Sequence, residues 1–282
     1  MFAASEIVAP GSCVAVVLAG GAGSRLRNSG IAELANMPKA LVEIDADGYH
    51  QPMLEFVVSG MLSGGFGSVV VLTSAAPGSD GTTIERFAQR RYRDCTGVRV
   101  VREAARSGTA GALYAAADLL PGEVLFVVPA DTMLPFRALG AALTVHVAGD
   151  QSFTWLATSY MAADAQNAGG LLVDARSGAL VSSVEDGATK LNDSLGAEIG
   201  DLVRLTSAGA VVMERDRFVA TFEDLLPGID AEHGVDLHRQ LLPFAARRGE
   251  VHVYDLGVAT PDLGVPERLL AYGRSTDVSQ PA

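Results

Sequence analysis

Val14-Ala15-Val16-Val17-Leu18-Ala19-Gly20-Gly21-Ala22-Gly23-Ser24-Arg25-Leu26, followed after a polar stretch by Met37-Pro38-Lys39-Ala40-Leu41, decides how this chain is read. The small and β-branched apolar residues of Val14 to Leu18 predict a strand buried on both faces, as in the middle of a parallel sheet. The strand runs into a glycine cluster, where the backbone turns sharply and no Cβ holds a ligand away from the N–H groups. Successive N–H groups in such a loop form a concavity for anions, phosphates above all. Arg25 and Lys39 add a forked guanidinium and a mobile ammonium. Strand, glycine loop and paired cations describe a site for a polyphosphate.

Working outward, apolar runs predict strands at 68–73, 98–101 and 124–128, with a short extended piece at 40–44. Helical spacing predicts helices from Pro52 to Leu62, from Thr82 to Arg91 and from Gly108 to Leu120. Strands alternating with helices imply βαβ units, and hence an α/β fold with a doubly wound, mostly parallel central sheet. The second half is richer in strands: 153–159, a hairpin of 169–174 with 180–185, then 205–214 and 251–255. Helices are expected at 235–246 and 261–273. No compositional break marks a linker. The expected organisation is a flexible segment 1–12, one domain over 13–274 and a tail at 275–282. Within the domain, 13–150 would hold the nucleotide and 151–274 would form an inserted β-rich half.

The 282 residues, 49% hydrophobic and 19% charged, are ordinary for a globular enzyme. A net charge of −12 argues against a nucleic-acid or anionic-membrane partner, either of which wants a basic face. It leaves room for a small polyanion held by a few local cations. Two cysteines, Cys13 and Cys95, have no metal-ligand spacing, and residues 1–11 contain no Lys or Arg. A cytoplasmic location with free thiols is expected, without a signal peptide or membrane span. Oligomeric state stays open, a homo-oligomer included.

Asp131 follows Leu125-Phe126-Val127-Val128 and so lies just past the carboxyl end of a buried strand, the edge where open α/β sheets bind ligands. A carboxylate there can hold Mg²⁺ or simply cap the segment from Leu134. Gly108-Thr109-Ala110-Gly111 opens a helix and allows close approach of a ligand. The histidines show no ligand spacing.

Taken in order, Leu-Ala-Gly-Gly-x-Gly-x-Arg-Leu, Pro-Lys-x-Leu, Gly-Thr-x-Gly and the strand-end aspartate resemble the sugar-1-phosphate nucleotidyltransferases. That resemblance implies a Rossmann-like nucleotidyltransferase fold with a sugar-binding half. The implied reaction passes a nucleoside monophosphate from an NTP to a sugar 1-phosphate, releasing pyrophosphate with Mg²⁺ as cofactor. It implies nucleotide contacts from Leu18, Ala19, Gly20, Gly21, Ala22, Gly23, Ser24, Gly108 and Thr109. Arg25, Lys39 and Asp131 would be catalytic. Asp131 and Asp255, the latter in Tyr254-Asp255-Leu256-Gly257, would be metal ligands. Gly170, Glu185, Lys190 and Gly209 would bind the sugar phosphate. The form Gly-Thr-x-Gly is nearest to relatives that use guanosine nucleotides.

The chain departs from that pattern in places. Glu185 lacks the lysine that usually follows it, which leaves Lys190 as either a replacement or a solvated surface residue. The stretch between Arg25 and Lys39 is long, as a mobile lid would be. Thr260-Pro261 comes late after Asp255. A cyclitol phosphate acceptor would suit the same residues, whereas the catalytically silent regulatory subunits that keep this fold tend to lose the Arg, Lys and metal Asp together, and Arg25, Lys39, Asp131 and Asp255 are all present. Molybdenum-cofactor guanylyltransferases share Leu-Ala-Gly-Gly but carry Arg-Met-Gly in place of Arg25-Leu26. A dinucleotide oxidoreductase fails on glycine spacing and on the Thr73-Ser74 end of the second strand.

Overall fold

A computed structural model describes residues 11, 13–21, 23–46, 48–76, 79–104, 107–159, 169–184, 201–229 and 234–276. The elements begin with β1 (Val14–Leu18), the short helices α1 (Ser24–Arg27) and α2 (Ala32–Ala35), and the hairpin of β2 (Glu43–Ala46) with β3 (Tyr49–Pro52). Then follow α3 (Met53–Ser63), β4 (Ser68–Ser74), α4 (Gly81–Arg91), β5 (Val98–Glu103), α5 (Gly108–Ala116), β6 (Val124–Pro129) and α6 (Leu139–Ala148). The second half supplies β7 (Phe153–Ser159), β8 (Gly170–Asp174), β9 (Leu180–Val184), β10 (Leu202–Glu214) and α7 (Arg215–Leu225). It closes with α8 (Leu242–Ala246), β11 (Val251–Asp255) and α9 (Pro266–Thr276).

The main sheet runs β11-β7-β10-β6-β1-β4-β5, with β8 on β10 and β9 on β8. β1 is parallel to both β4 and β6, β4 to β5 and β7 to β11, while β10 runs antiparallel to its neighbours. The expected doubly wound, mostly parallel sheet is therefore present. Its centre is dry on both faces. Ala15 and Val17 of β1 join one apolar core with α3 and α6, while Val14 and Val16 join the other with α5 and α7. A buried central strand has no polar face to show, and so reads as an unbroken apolar run.

This strand order positions the site. The chain leaves β1 toward β4 on one side, and β6 lies on the other. The gap between the carboxyl ends of β1 and β6 is thus a topological switch point, the place where open α/β sheets leave a crevice.

Several local expectations shift. The stretch between Arg25 and Lys39 contains α1 and α2 rather than loop alone. Residues 39–41 form a 3-10 turn, and the strand starts only at Glu43, where Ile44 and Ala46 are buried and Glu43 and Asp45 exposed. The expected helix at 235–246 begins as a π-helical turn, Leu237–Leu241, whose first N–H groups are capped by the Asp236 carboxylate. The last helix starts at Pro266, not Pro261, because residues 261–263 are held extended against 131–133.

Candidate active site

The glycine loop leaves β1 at the switch point. Gly23 has φ +61° and precedes α1, and a Cβ there would lie 2.9 Å from Cβ of Lys39. Glycine lets the loop close onto the turn that carries the lysine. Gly20 packs against the end of β4, where a Cβ would come within 3.3 Å of the Ser74 backbone nitrogen. Arg25 is exposed on α1, whereas Arg27 forms an ion pair with Asp80 at the start of α4. The two arginines differ accordingly: one faces solvent beside the loop, the other ties α1 to the body.

Lys39 meets Asp131. The ammonium is ion-paired with the Asp131 carboxylate, itself only 6% exposed. A third charged group completes the cluster. Residues 261–263 run beside the chain after β6: Leu263 N–H donates to Asp131 O at 2.9 Å and Met133 N–H to Pro261 O at 3.0 Å, with a β-bridge between Thr132 and Asp262. Fully buried Leu263 anchors the segment. This pairing carries Asp262 to Asp131. Its carboxylate accepts from Gly264 N–H at 2.8 Å and lies 3.5 Å from the Arg268 guanidinium. A Cβ on Gly264 would run into Asp131, Lys39 and Asp262 together, so the room for this cluster exists because residue 264 has no side chain.

The electrostatics follow from the geometry. Burial pushes the Asp131 carboxyl upward, but the charge and hydrogen bond of Lys39 outweigh it and hold it below the ordinary range. Burial, then the charge of Asp131, pushes Asp262 up to about 6, against the pull of Lys39 and the Gly264 N–H. Two carboxylates this close cannot both ionise freely without a cation between them. The donor set is two hard carboxylates partly neutralised by one ammonium, which suits a hard divalent cation of the Mg²⁺ type. Asp131 and Asp262 could hold it.

Asp255 stands elsewhere. It ends β11, the edge strand three positions from β6 in the sheet. It is exposed, and its carboxylate accepts the Gly257 N–H at 2.9 Å as a turn residue would. Asp262 was not singled out from the sequence. A signal was there: Asp262-Leu263-Gly264 is a second Asp-x-Gly, followed by Pro266 at the start of an amphipathic helix.

The motif Gly108-Thr109-Ala110-Gly111 starts α5, as expected. Gly108 has φ +75° and Gly234 φ +70°. A Cβ on Gly108 would come within 2.6 Å of the Val235 carbonyl carbon, and one on Gly234 within 2.6 Å of Gly108 N. The two chain segments therefore touch backbone to backbone. Val235 N–H donates to Ser107 O at 2.8 Å, and Val235 O receives the N–H groups of Ala110 and Gly111 at 2.9 and 3.2 Å. Thr109 Oγ1 donates to Asp236 at 3.1 Å and accepts from Leu237 N–H at 2.8 Å. Between this helix start and the glycine loop lies a cavity of about 220 Å³, lined by Leu18, Gly20, Gly21, Gly108 and Thr109, and also by Glu103 and Asp236. Neither Glu103 nor Asp236 was marked by the sequence motifs.

Of the residues assigned to a sugar phosphate, Gly209 (φ +73°) sits where β10 breaks register between Ser207 and Val211. A Cβ there would lie 3.3 Å from Thr132 Oγ1, so Gly209 borders the Asp131 segment. Gly170 is buried in β8 opposite Thr206. Ala22, Glu185 and Lys190 lie outside the described residues.

A glycine loop and a cation–carboxylate cluster at the switch point of a mixed α/β sheet form a site suited to the phosphates of a nucleotide. Residues 15–170, more than half the chain, match the MobA-like NTP transferase domain, and the chain belongs to that family. The matched span carries the glycine loop, Lys39 and Asp131. Among solved structures, the inositol-1-phosphate CTP transferase from T. maritima superposes with a TM-score of 0.68 at 18% identity, covering 95% of this chain and 98% of that one. A protein assigned as a glucose-1-phosphate thymidylyltransferase from Bacillus anthracis gives 0.68 at 14% identity, covering 96% and 97%. HddC from Yersinia pseudotuberculosis gives 0.66 at 17%, covering 93% and 99%. At these identities the likeness is one of fold. No curated protein sequence matches this one.

Proposed function

We propose that the protein transfers a nucleoside monophosphate from an NTP, with GTP as the donor, to a sugar 1-phosphate, releasing pyrophosphate. The observation that carries this reading is the meeting of Lys39, Asp131 and Asp262 beside the glycine loop. The nucleophile is already a phosphate oxygen anion, so the chemistry needs no general base. It needs two polyanions brought together and charge neutralised at the α-phosphorus, which is work for positioning and preorganised cations.

In this reading the N–H groups of Gly20 to Ser24 and the exposed Arg25 hold the triphosphate, chiefly its leaving end. Lys39 turns from Asp131 to the α-phosphate and the incoming phosphate. Asp131 and Asp262 hold Mg²⁺, which neutralises phosphate oxygens when bound. Gly209 and Gly170 line the acceptor side, with Glu185 and Lys190 as further candidates there. The guanine preference starts from the form Gly108-Thr109-x-Gly111. The structural likeness to a protein named for inositol 1-phosphate favours a cyclitol phosphate as the alternative acceptor. The acidic net charge supports a small-molecule substrate over nucleic acid. No helix among the described residues is long and apolar enough to cross a membrane, and we place the protein in the cytoplasm.

The test is Mg²⁺-dependent pyrophosphate release from nucleoside triphosphates against sugar and cyclitol phosphates. Release that requires both substrates and is lost in Lys39→Ala and Asp131→Ala supports the reading. NTP binding without release against any acceptor would instead indicate the regulatory-subunit alternative.

A further inference from the structure

The transfer reading uses Arg25 and leaves Arg27, two residues on, without a task. Both stand on α1, a single helical turn closed by Arg27 N–H to Gly23 O at 3.0 Å and Asn28 N–H to Ser24 O at 2.9 Å. One turn does not persist alone, because it fixes several residues for each hydrogen bond gained. Two side chains tie it down. Leu26, 1% exposed, enters the core, and Arg27 is ion-paired with Asp80, 53 positions further along the chain. Asp80 directly precedes α4, where an aspartate ordinarily caps the helix. It makes no cap hydrogen bond there, and its carboxylate goes to Arg27. With side chains 29% and 19% exposed, the pair is better shielded than an open surface ion pair, which contributes little. The corner that receives Arg27 also receives the other end of the loop. Gly81, next to Asp80, sits so close to the end of β4 that a Cβ on it would run into Ser74 O, and Gly20 presses on the backbone of that same Ser74. The glycine loop is thus gripped at its start through Gly20 and at its end through Arg27, at the one corner where β4 gives way to α4.

We propose that Arg27 and Asp80 are positioning residues, which hold the glycine loop in shape for a triphosphate before one arrives; this rests on the nucleotidyltransferase reading above. A glycine-rich loop has more backbone freedom to lose than any other. A loop fixed beforehand does not lose it again on binding, and the affinity is higher by that amount. Arg27 acts through the loop and not on the phosphates, because its guanidinium is engaged with Asp80 while Arg25 is the exposed cation beside the loop. The benefit is selective. The loop and Arg25 serve the leaving end of the triphosphate, so a nucleoside monophosphate, which lacks that end, gains little from the pair.

Calorimetric titration of the full chain with Mg²⁺ and no acceptor tests this, using the four nucleoside triphosphates and then the monophosphate of whichever binds most tightly. In Arg27→Ala and in Asp80→Ala, affinity for the triphosphate is expected to fall about 10-fold, the scale of ordering one further backbone residue on binding. Affinity for the monophosphate should stay within about twofold of the wild type, and the double variant should be no weaker than the weaker single by more than about twofold, as for two residues that act as one unit. Asp80→Ala removes no cap hydrogen bond from α4, so it carries the test even if Arg27→Ala does not fold. Asp80→Ala with unchanged or higher triphosphate affinity overturns the assignment, since Arg27 would then not act through the pair. Equal losses for triphosphate and monophosphate overturn it too, as the mark of a general structural role. Either result leaves the transferase reading standing, whereas a wild type that binds no nucleotide removes that reading and this assignment with it.

Discussion

The ammonium of Lys39 is ion-paired with the carboxylate of Asp131, although one residue stands in a turn after the glycine loop and the other beyond β6. They meet because β1 and β6 are neighbours in the sheet. Without a bound nucleotide, the lysine neutralises the carboxylate it shares with Asp262. In Lys39→Ala both aspartates lose that counter-charge, and in the proposed reaction the α-phosphate loses its point cation. Pyrophosphate release should fall roughly 10²- to 10³-fold, the scale for one preorganised electrostatic contact, and a thermal melt should show a lower Tm.

Asp262 should matter more than Asp255. Asp262→Asn removes one of two adjacent carboxylates, whereas Asp255→Asn alters an exposed turn. Steady-state pyrophosphate assays across a Mg²⁺ titration should show a large loss of metal-dependent activity in the first and a much smaller change in the second. The reverse order would sink the proposed ligand pair.

The same substitution should stabilise the metal-free protein at neutral pH. The folded pKa of Asp262 is raised from 3.8 to about 6. The fold therefore holds a proton that the unfolded chain has released, and the stability this provides is complete below pH 3.8 and lost as pH rises through 6. At pH 7.5 the ionised group is a burden. The Asp262 side chain keeps 43% exposure, so water screens much of the effect, and we expect a gain of about 1 kcal/mol in Asp262→Asn. Chemical denaturation with chelator present at pH 7.5 and at pH 4 checks this, with the gain expected only at the higher pH.

His146 should set part of the acid limb. It is 4% exposed, its Nδ1 lies 3.0 Å from Thr154 Oγ1, and burial lowers its pKa to about 4 from 6.5. Between those values the unfolded chain binds a proton that the fold refuses, so stability is present above pH 6.5 and lost as pH falls toward 4. The loss reaches roughly 3 kcal/mol. Urea midpoints from pH 7 to 4 should decline less steeply in His146→Gln than in the wild type.

Gly108→Ala and Gly234→Ala should both destabilise strongly, since each new Cβ enters the other segment's backbone. Gly249 provides the comparison. It too has positive φ, +73°, but nothing lies within 4 Å of a Cβ placed there. Gly249→Ala should cost only the left-handed strain of about 1 kcal/mol. Thermal melts of the three variants separate conformational strain from steric conflict.

Much of the first half was legible because its signals are local. The unbroken apolar run of Val14 to Leu18, the glycine cluster and the apolar runs at β4 and β6 state both element type and burial in a few residues each. Lys39 and Asp131 could be picked out because strand ends and glycine loops announce the binding edge of an α/β sheet. The helix start at Gly108 was also visible. Its partner segment at Gly234-Val235-Asp236 was not, because nothing in five to ten residues records which backbone will press against which.

The choice between two Asp-x-Gly segments shows where local reading ended. Asp255 follows a clear strand, and by pattern it was the natural second carboxylate. Which aspartate reaches Asp131 depends on the pairing of β11 with β7 at the sheet edge, and on residues 261–263 lying against 131–133. The sequence by itself determined the layers, the glycine loop and the candidates Lys39 and Asp131, since these follow from side-chain periodicity and backbone freedom within single elements. Only the tertiary structure decided Asp262, Glu103 and Asp236. Each becomes part of the site through hydrogen bonds between segments distant in sequence, and a chain read residue by residue does not contain the register of those contacts.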